Sequence, residues 1–444
     1  MTDRYTKFAN SKAGKGLVRK TGLPRPAHLR RYHLGDNEVP GPVYLGHTPG
    51  TARLVQPVAD ILDGLDATVI TSGDKNPSRG WHALILDATS IETPEELRGV
   101  YDFFRPRLES LAPNGRLLVL GSLPETLDKP DAQIAQAALE GVTRSLGKEV
   151  RNGATVQLIR VADGAEDTLE STLRFFLSGR SAFVSGQVID LRPADIPVVD
   201  FKRPLTGKTI LLTGAAGGIG EKTATVLSSY GAHVLCVDIP AASEKLSHVA
   251  NRVGGTAISL DLAADGAGDR LLQALPRKID SVIHNAGITR DKTLARMSET
   301  AWDDVLDVNL AAPYRITRQL LDDGRISDGG SIVLLSSVTG LAGNRGQTNY
   351  AATKTGMIAM ARYLSDELAK QNITINAVAP GVIETAMTAK MPFGTREGGR
   401  RLSSLSQGGQ PVDVAETIAW LANPQSAPIS GQVVRVCGQS LIGA

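Results

Sequence analysis

The chain has 444 residues, 42% of them hydrophobic but only 4% aromatic, with 46 glycines and a formal net charge of +2. That length calls for two domains, each able to bury a core, and the composition excludes a disordered or fibrous chain. Charges so evenly mixed exclude an extended nucleic-acid footprint, and no apolar run approaches the roughly 20 residues needed to span a bilayer.

At the start, Arg4, Lys7, Lys12, Lys15, Arg19, Lys20, Arg25, Arg30 and Arg31 face only Asp3 as a counterweight. Residues 1–35 are therefore expected to form a solvated basic arm. The opening residues contain no apolar core, so no secretory signal is expected and a cytoplasmic location follows. Cys236 and Cys437 read as buried strand residues; neither has metal-ligand or redox spacing around it, and no metal site is expected.

Residues 36–195 carry a strand and helix pattern that recurs later. Residues 114–122 parallel 329–337 at a constant offset, residues 184–188 parallel 429–433, and the helix containing Gly141 keeps the register of that containing Gly356. An ancient duplication or fusion explains this, with the first copy trimmed to a smaller sheet. Its loop at 46–52 keeps Gly46 and Gly50 but puts Ala52 where a third glycine should stand. In the shared register Ala135 replaces Tyr350 and Leu139 replaces Lys354, while Ser122 survives alone. A structural, interface or docking role is expected for this copy.

Pro193, Pro197 and Pro204 mark an extended connector, placed at 196–207. Beyond it, β-rich runs at 209–212, 232–237, 281–284 and 331–335 alternate with helical stretches, which implies a parallel sheet covered on both faces. The first run enters a turn with Gly214, Gly217, Gly218, Ile219 and Gly220. Gly214 suits the tight turn, Gly218 lets the backbone approach a pyrophosphate, and Gly220 lets the next helix pack closely, its N-terminus facing the anion. Asp238, eighteen residues beyond Gly220, ends the next run. A carboxylate there accepts hydrogen bonds from ribose hydroxyls and repels a 2′-phosphate.

Tyr350 and Lys354 stand four residues apart, on one face of a helix. The expectation is that the ammonium lowers the acidity constant of the phenol, an activated proton donor. Ser337, at a strand end, can donate to the same carbonyl oxygen. Residues 386–409, rich in Gly, Ser, Thr and Arg, read as a mobile substrate lid with Arg396, Arg400 and Arg401 available to phosphates.

The glycine turn together with Ser337, Tyr350 and Lys354 resembles the short-chain dehydrogenase/reductase family. That resemblance implies an α/β fold: a C-terminal Rossmann doubly wound parallel sheet at 208–444, preceded at 36–195 by a smaller flavodoxin-like, degenerate Rossmann domain. It implies that Asn309 positions a relay water beside Lys354, that Asp261 and Leu262 lie near the adenine, and that Asn285, Ala286 and Gly287 close the fourth strand. Pro380, Gly381, Ile383 and Thr385 match the segment that holds the nicotinamide, by the Ile383 backbone and the Thr385 hydroxyl. His284 departs from the more usual Asn and reads as a buried, backbone-bonded histidine. NADP-preferring relatives place an Arg where Gly217 stands, so Gly217 and Asp238 together favour NADH/NAD over NADPH.

Residues 285–291, 343–350 and 379–385 are similar to those of the 3-oxoacyl-(acyl-carrier-protein) reductases, and the added first domain makes the whole chain resemble their high-molecular-weight form. The implied reaction reduces a 3-oxoacyl thioester to the 3-hydroxyacyl thioester. Basic positions that relatives use to dock the carrier protein hold Asp328 and Gln371, although Arg325 and Lys370 lie close by. Coenzyme A thioesters are therefore expected to serve at least as well as 3-oxoacyl carrier protein. Two rival readings are a short-chain dehydrogenase acting on another secondary alcohol or ketone, and a non-catalytic scaffold. Association through the helices bearing Asn309 and Tyr350 implies a homo-oligomer, expected to be a dimer because the added domain blocks a tetramer interface.

Overall fold

The computed structural model describes residues 4–21, 25–73, 76–389, 391 and 393–440, and its strands follow the alternation read from the sequence. Residues Met1–Asp195, Glu397–Gly408 and Gly438–Leu441 form a first unit; Ile196–Arg396, Gly409–Cys437 and Ile442–Ala444 form a second.

The first unit is built on β1 (Val43–His47), β2 (Val69–Ile70), β3 (Trp81–Asp87), β4 (Leu111–Gly121), β5 (Thr155–Val161) and β6 (Gln187–Leu191). They are parallel, in the order β2-β1-β3-β4-β5-β6, which is a flavodoxin-like order extended by one strand. All seven residues of β3 are buried, as expected of a central strand covered on both faces. Leu84, Leu86, Leu117, Val119 and Leu158 pack with Phe103, Phe104 and Leu139. Each such side chain, fully buried, contributes about 1.5–3 kcal/mol.

The second unit carries β7 (Thr209–Thr213), β8 (His233–Asp238), β9 (Thr256–Ser259), β10 (Ile279–His284), β11 (Ile326–Leu335), β12 (Thr374–Pro380) and β13 (Val433–Val436). Their order is β13-β12-β11-β10-β7-β8-β9, parallel throughout, a doubly wound sheet. Cys236 lies in β8 and Cys437 directly follows β13; both thiols are free and buried.

The two sheets repeat each other in detail. A register break between Trp81 and Ala83 against β4 recurs between Ile279 and Ser281 against β11, with the left-handed Asn114 (φ 59°) and Gly329 (φ 69°) at matching places. Before β6, Ser185 Oγ accepts from Val156 N (3.3 Å), and the Gln157 amide bonds Val184 O (2.7 Å) and Gln187 N (3.0 Å). Before β13, Ser430 Oγ accepts from Ile375 N (3.2 Å), and the Asn376 amide bonds Ile429 O (2.7 Å) and Gln432 N (3.0 Å). The recurrence of this clamp extends the sequence parallel to the level of single hydrogen bonds.

Two expectations are corrected. Residues Arg4–Asn10 and Lys12–Thr21 are helices that bury Thr6, Ala9 and Val18, so apolar burial overrides the solvated basic arm. Asp3 and the side chains of Arg4, Lys7, Lys15 and Arg19 lie outside the described residues. The C-terminal domain expected at 208–444 is also not one continuous stretch, because residues 397–408 and 438–440 belong to the first unit. Gln407 Nε2 donates to Ala27 O (2.8 Å), Arg401 stacks on the Tyr5 ring (4.2 Å), and Gln439 donates to Arg144 O.

Candidate active site

Thr213 ends β7 with its hydroxyl turned to the neighbouring strand, where it accepts from the N–H groups of Asn285 and Ala286 (both 3.0 Å). Asn285 Nδ2 returns donations to Thr213 O (3.0 Å) and Gly214 O (2.9 Å), fixing the turn. Gly214 is left-handed (φ 67°), and a Cβ there would lie 2.8 Å from Ala286 Cα; one on Gly220 would lie 2.0 Å from Gly214 O. These two glycines are steric requirements. At Gly217 and Gly218 a Cβ would meet nothing within 4 Å, and the helix Gly218–Ser229 has no side-chain cap. Open space thus borders the first turn, whose leading N–H groups have no helical partner, and this fits a dinucleotide pyrophosphate.

The other cofactor candidates border the same unit of structure. Asp238 accepts from Ala216 N and Ile239 N (both 2.8 Å), and Asp261 from Ala263 N (3.0 Å), with Leu262 beside it. Carboxylates retain further lone pairs for ribose hydroxyls. Pro380 ends β12, and a Cβ on Gly381 would strike Cys437 Cβ at 2.8 Å. Thr388 Oγ1 donates to Ile383 O (2.6 Å) and accepts from Thr385 N (3.0 Å), so it shapes the segment although sequence spacing did not single it out. The N–H of Ile383 has no partner among the described residues.

Ser337 caps the helix Val338–Ala342: its Oγ accepts from Thr339 N (3.1 Å), which leaves its O–H to donate. That hydroxyl lies close enough to the Tyr350 phenol to favour its charged form. Lys354, buried one turn below, places Nζ 5.5 Å from the Tyr350 ring centroid and donates to Leu335 O (2.7 Å). The phenol keeps part of its surface open, yet burial pushes it up to about 12, with Ser337 opposing and Asp291 adding to the rise. The expected lowering is therefore reversed: loss of hydration dominates, and the Lys354 ammonium is committed to a backbone carbonyl. Burial brings Lys354 itself down to about 8.

Asn309 sits in a π-helical turn, Asp307–Ala311. Its amide is a two-way clamp on Ile288, donating to O (2.9 Å) and accepting from N (2.8 Å), so the side chain braces residues 287–288. Pro313 carries no N–H and deprives the Asn309 carbonyl of its helical donor. Pro313 is the one sequence signal for this turn. A Cβ on Gly287 would lie 3.2 Å from Asn309 Oδ1 and 3.4 Å from Lys354 Nζ, and one on Gly356 would lie 2.6 Å from Leu310. At Gly141, the counterpart of Gly356, the same test meets nothing.

His284 is buried, but its partner is the Thr317 hydroxyl (2.9 Å from Nε2) and not backbone. Burial lowers it to about 4 from 6.5. As pH falls below 6.5 the unfolded chain takes up a proton that the folded one refuses until about 4, so stability drops through that window by up to about 3 kcal/mol. His82, lowered to about 3 chiefly by burial, adds a comparable loss, so urea unfolding at pH 7 and pH 4.5 should show both and His284→Asn should remove about half of the combined effect.

In the first unit the corresponding turn places charged side chains where the glycine turn of the second unit has none. Sheet register matches Val43 to Ile210 through their partners Ala83 and Ser281, so Arg53, and not Ala52, stands at the third-glycine position. Its guanidinium pairs with Glu166 and Asp163 and donates to Val161 O. Asp87, the counterpart of Asn285, is fully buried and accepts from Leu54 N (2.8 Å) just ahead of the helix Val55–Asp63, with its other oxygen on Thr89. A phosphate there would meet a carboxylate already in place. Calorimetric titration with NADH should saturate at one molecule per chain; two would show that the first unit binds as well.

The presumed phosphate ligands of the lid are otherwise engaged: Arg400 and Arg401 pair with Glu397, and Arg396 donates to Ala389 O (3.1 Å). Lys390 and Pro392 lie outside the described residues. No group of three or more His, Cys, Asp or Glu suited to a metal, and no helix long and apolar enough to cross a membrane, occurs among the described residues.

A family model described as enoyl-(acyl carrier protein) reductase matches residues 214–438. The 3-oxoacyl-(acyl-carrier-protein) reductase of Thermotoga maritima is 40% identical over 246 residues, covering 54% of this chain and 99% of that protein. Nodulation protein G of Rhizobium sp. strain N33 is 41% identical over 241 residues, 53% of this chain and 97% of its own length. The 3-oxoacyl-(acyl-carrier-protein) reductase of Pseudomonas aeruginosa is 38% identical over 240 residues, with 53% and 97% covered.

Proposed function

This chain belongs to the short-chain dehydrogenase/reductase family, and from that membership and its site we propose that it reduces 3-oxoacyl thioesters to 3-hydroxyacyl thioesters, with NADH as reductant and Tyr350 as general acid. The observation that carries this reading is a Tyr350 phenol on which the Ser337 hydroxyl acts, set one helical turn from a buried Lys354 whose Nζ lies 5.5 Å from its ring. Two neighbouring hydroxyl donors suit a carbonyl oxygen that is gaining negative charge. When bound, the reduced nicotinamide supplies a hydride to the carbonyl carbon. Tyr350 then gives its proton to the oxygen, Ser337 holds that oxygen in place, and Lys354 supports the charge left on the phenol. The Asn309 carbonyl, whose i+4 position is Pro313 and so offers no N–H, is a place for the water through which the proton is replaced.

Gly217 and Asp238 support NADH over NADPH, the names of the relatives support a 3-oxoacyl thioester of carrier protein as substrate, and Asp328 and Gln371 support the coenzyme A form beside it. A homodimer through the helices bearing Asn309 and Tyr350 belongs to the same reading, as does action in the cytoplasm. The test is the initial rate of acetoacetyl-CoA reduction with NADH, set against oxidation of a panel of steroid, sugar and short secondary alcohols with NAD⁺. Thioester reduction should exceed every alcohol in kcat/KM. A faster alcohol would move the assignment to another dehydrogenase of the family.

A further inference from the structure

We propose that Lys292, Arg296 and Arg345 form a cationic rim that receives the phosphates of a coenzyme A thioester, an inference that rests on the thioester-reductase reading above. The rim is carried by two loops that meet beside Tyr350. The first runs on from Gly287 and is pinned at Ile288 by the Asn309 clamp. The second precedes Tyr350, and Gln347 Nε2 ties it to Asp291 Oδ2 (3.0 Å). A Cβ on Gly346 would lie 3.9 Å from the Lys292 carbonyl carbon, so the loops touch. Asp291 also acts electrostatically on the Tyr350 phenol, which places the first loop within reach of the reacting group.

Of the cations on these loops, Arg290 is engaged, facing Asp304 (3.6 Å) and donating to Thr289 O (3.2 Å). Lys292, Arg296 and Arg345 are exposed and have no carboxylate within 4.0 Å among the described residues. Other arginines of the unit do have partners: Arg252 pairs with Glu221 (2.8 Å) and Arg318 with Glu367 (2.7 Å). Like charges gathered on adjoining loops repel one another, and an anion at the mouth relieves that repulsion and draws substrate in. A compact polyanion fits better than an acidic protein face. Next to the rim, Glu299 and Asp303 are exposed and line a cleft of about 350 Å³ with Leu294, Met297 and Trp302, so an extended acidic surface would meet carboxylates there.

The test compares acetoacetyl-CoA with acetoacetyl-N-acetylcysteamine, which carries the same reacting group and no phosphate. In the triple variant Lys292→Ser, Arg296→Ser, Arg345→Ser, KM for the coenzyme A thioester should rise roughly tenfold, and more steeply at low salt, with kcat retained. KM for the N-acetylcysteamine thioester should stay within about twofold. Equal loss on both substrates, or no change on either, overturns the rim. A rise seen only with acetoacetyl carrier protein overturns it in favour of protein docking. A wild-type chain that reduces neither thioester defeats the functional reading itself, and the rim with it.

Discussion

Tyr350→Phe should lower kcat for thioester reduction roughly a thousandfold while leaving the Kd for NADH within about twofold. The substitution removes one oxygen and keeps the ring that packs near Lys354. Binding donors elsewhere, from the glycine turn to Ile383, are untouched. Only the proton and one of two hydrogen bonds to the carbonyl oxygen are lost, and that interaction matters most as charge develops. Because burial holds the phenol near 12, it stays protonated throughout the working range. Lys354, near 8, is the group that titrates: below that pH it is charged, and above it the support for the phenolate fades. Reduction by the wild type should therefore decline as pH rises through about 8. Stopped-flow turnover together with fluorescence titration of NADH separates the two effects; a Phe variant that retains a tenth of wild-type kcat would remove Tyr350 from the proposed role.

The second large effect concerns the cofactor. NADH should exceed NADPH in kcat/KM by on the order of a hundredfold, because a 2′-phosphate would be brought against the Asp238 carboxylate. Two unit charges 4 Å apart near a protein surface repel by about 4 kcal/mol, and part of this is relieved by salt and movement. Asp238→Ala should lose NADH about tenfold and gain NADPH. Adding Gly217→Arg should complete the reversal, because Gly217 has extended backbone (φ −177°) and a side chain there meets no atom within 4 Å. Initial-rate kinetics with both cofactors on the single and double variants measure each step. Equal use of NADH and NADPH by the wild type would remove Asp238 as the selector.

Much of this was legible in the sequence because it is local. Glycines within one turn, and a tyrosine and a lysine one helical turn apart, are constrained by short stretches of backbone, and the hydrophobic runs that became β7, β10 and β11 are continuous. The parts missed depend on distance or on competition between forces. The phenol's rise reflects burial, which no spacing encodes. The tie between Asp87 and Leu54, and the salt bridges of Arg53, join residues 33 or more apart, and only the sheet register shows that they stand at the corresponding turn. The Asn309 clamp could not be read from its neighbours, although Pro313 four residues later marked the irregular turn.

The membership of the first unit bears on how the chain can be made. Its Arg144 carbonyl is met by a residue 295 positions later, and its Ala27 carbonyl by one 380 positions later. A nascent chain leaving the ribosome can form the six-stranded sheet early, but two carbonyls and the grooves around them must wait through most of translation. Cutting the gene between the codons for Asp195 and Ile196 would yield two fragments, one lacking its final stitches and the other carrying two loose segments.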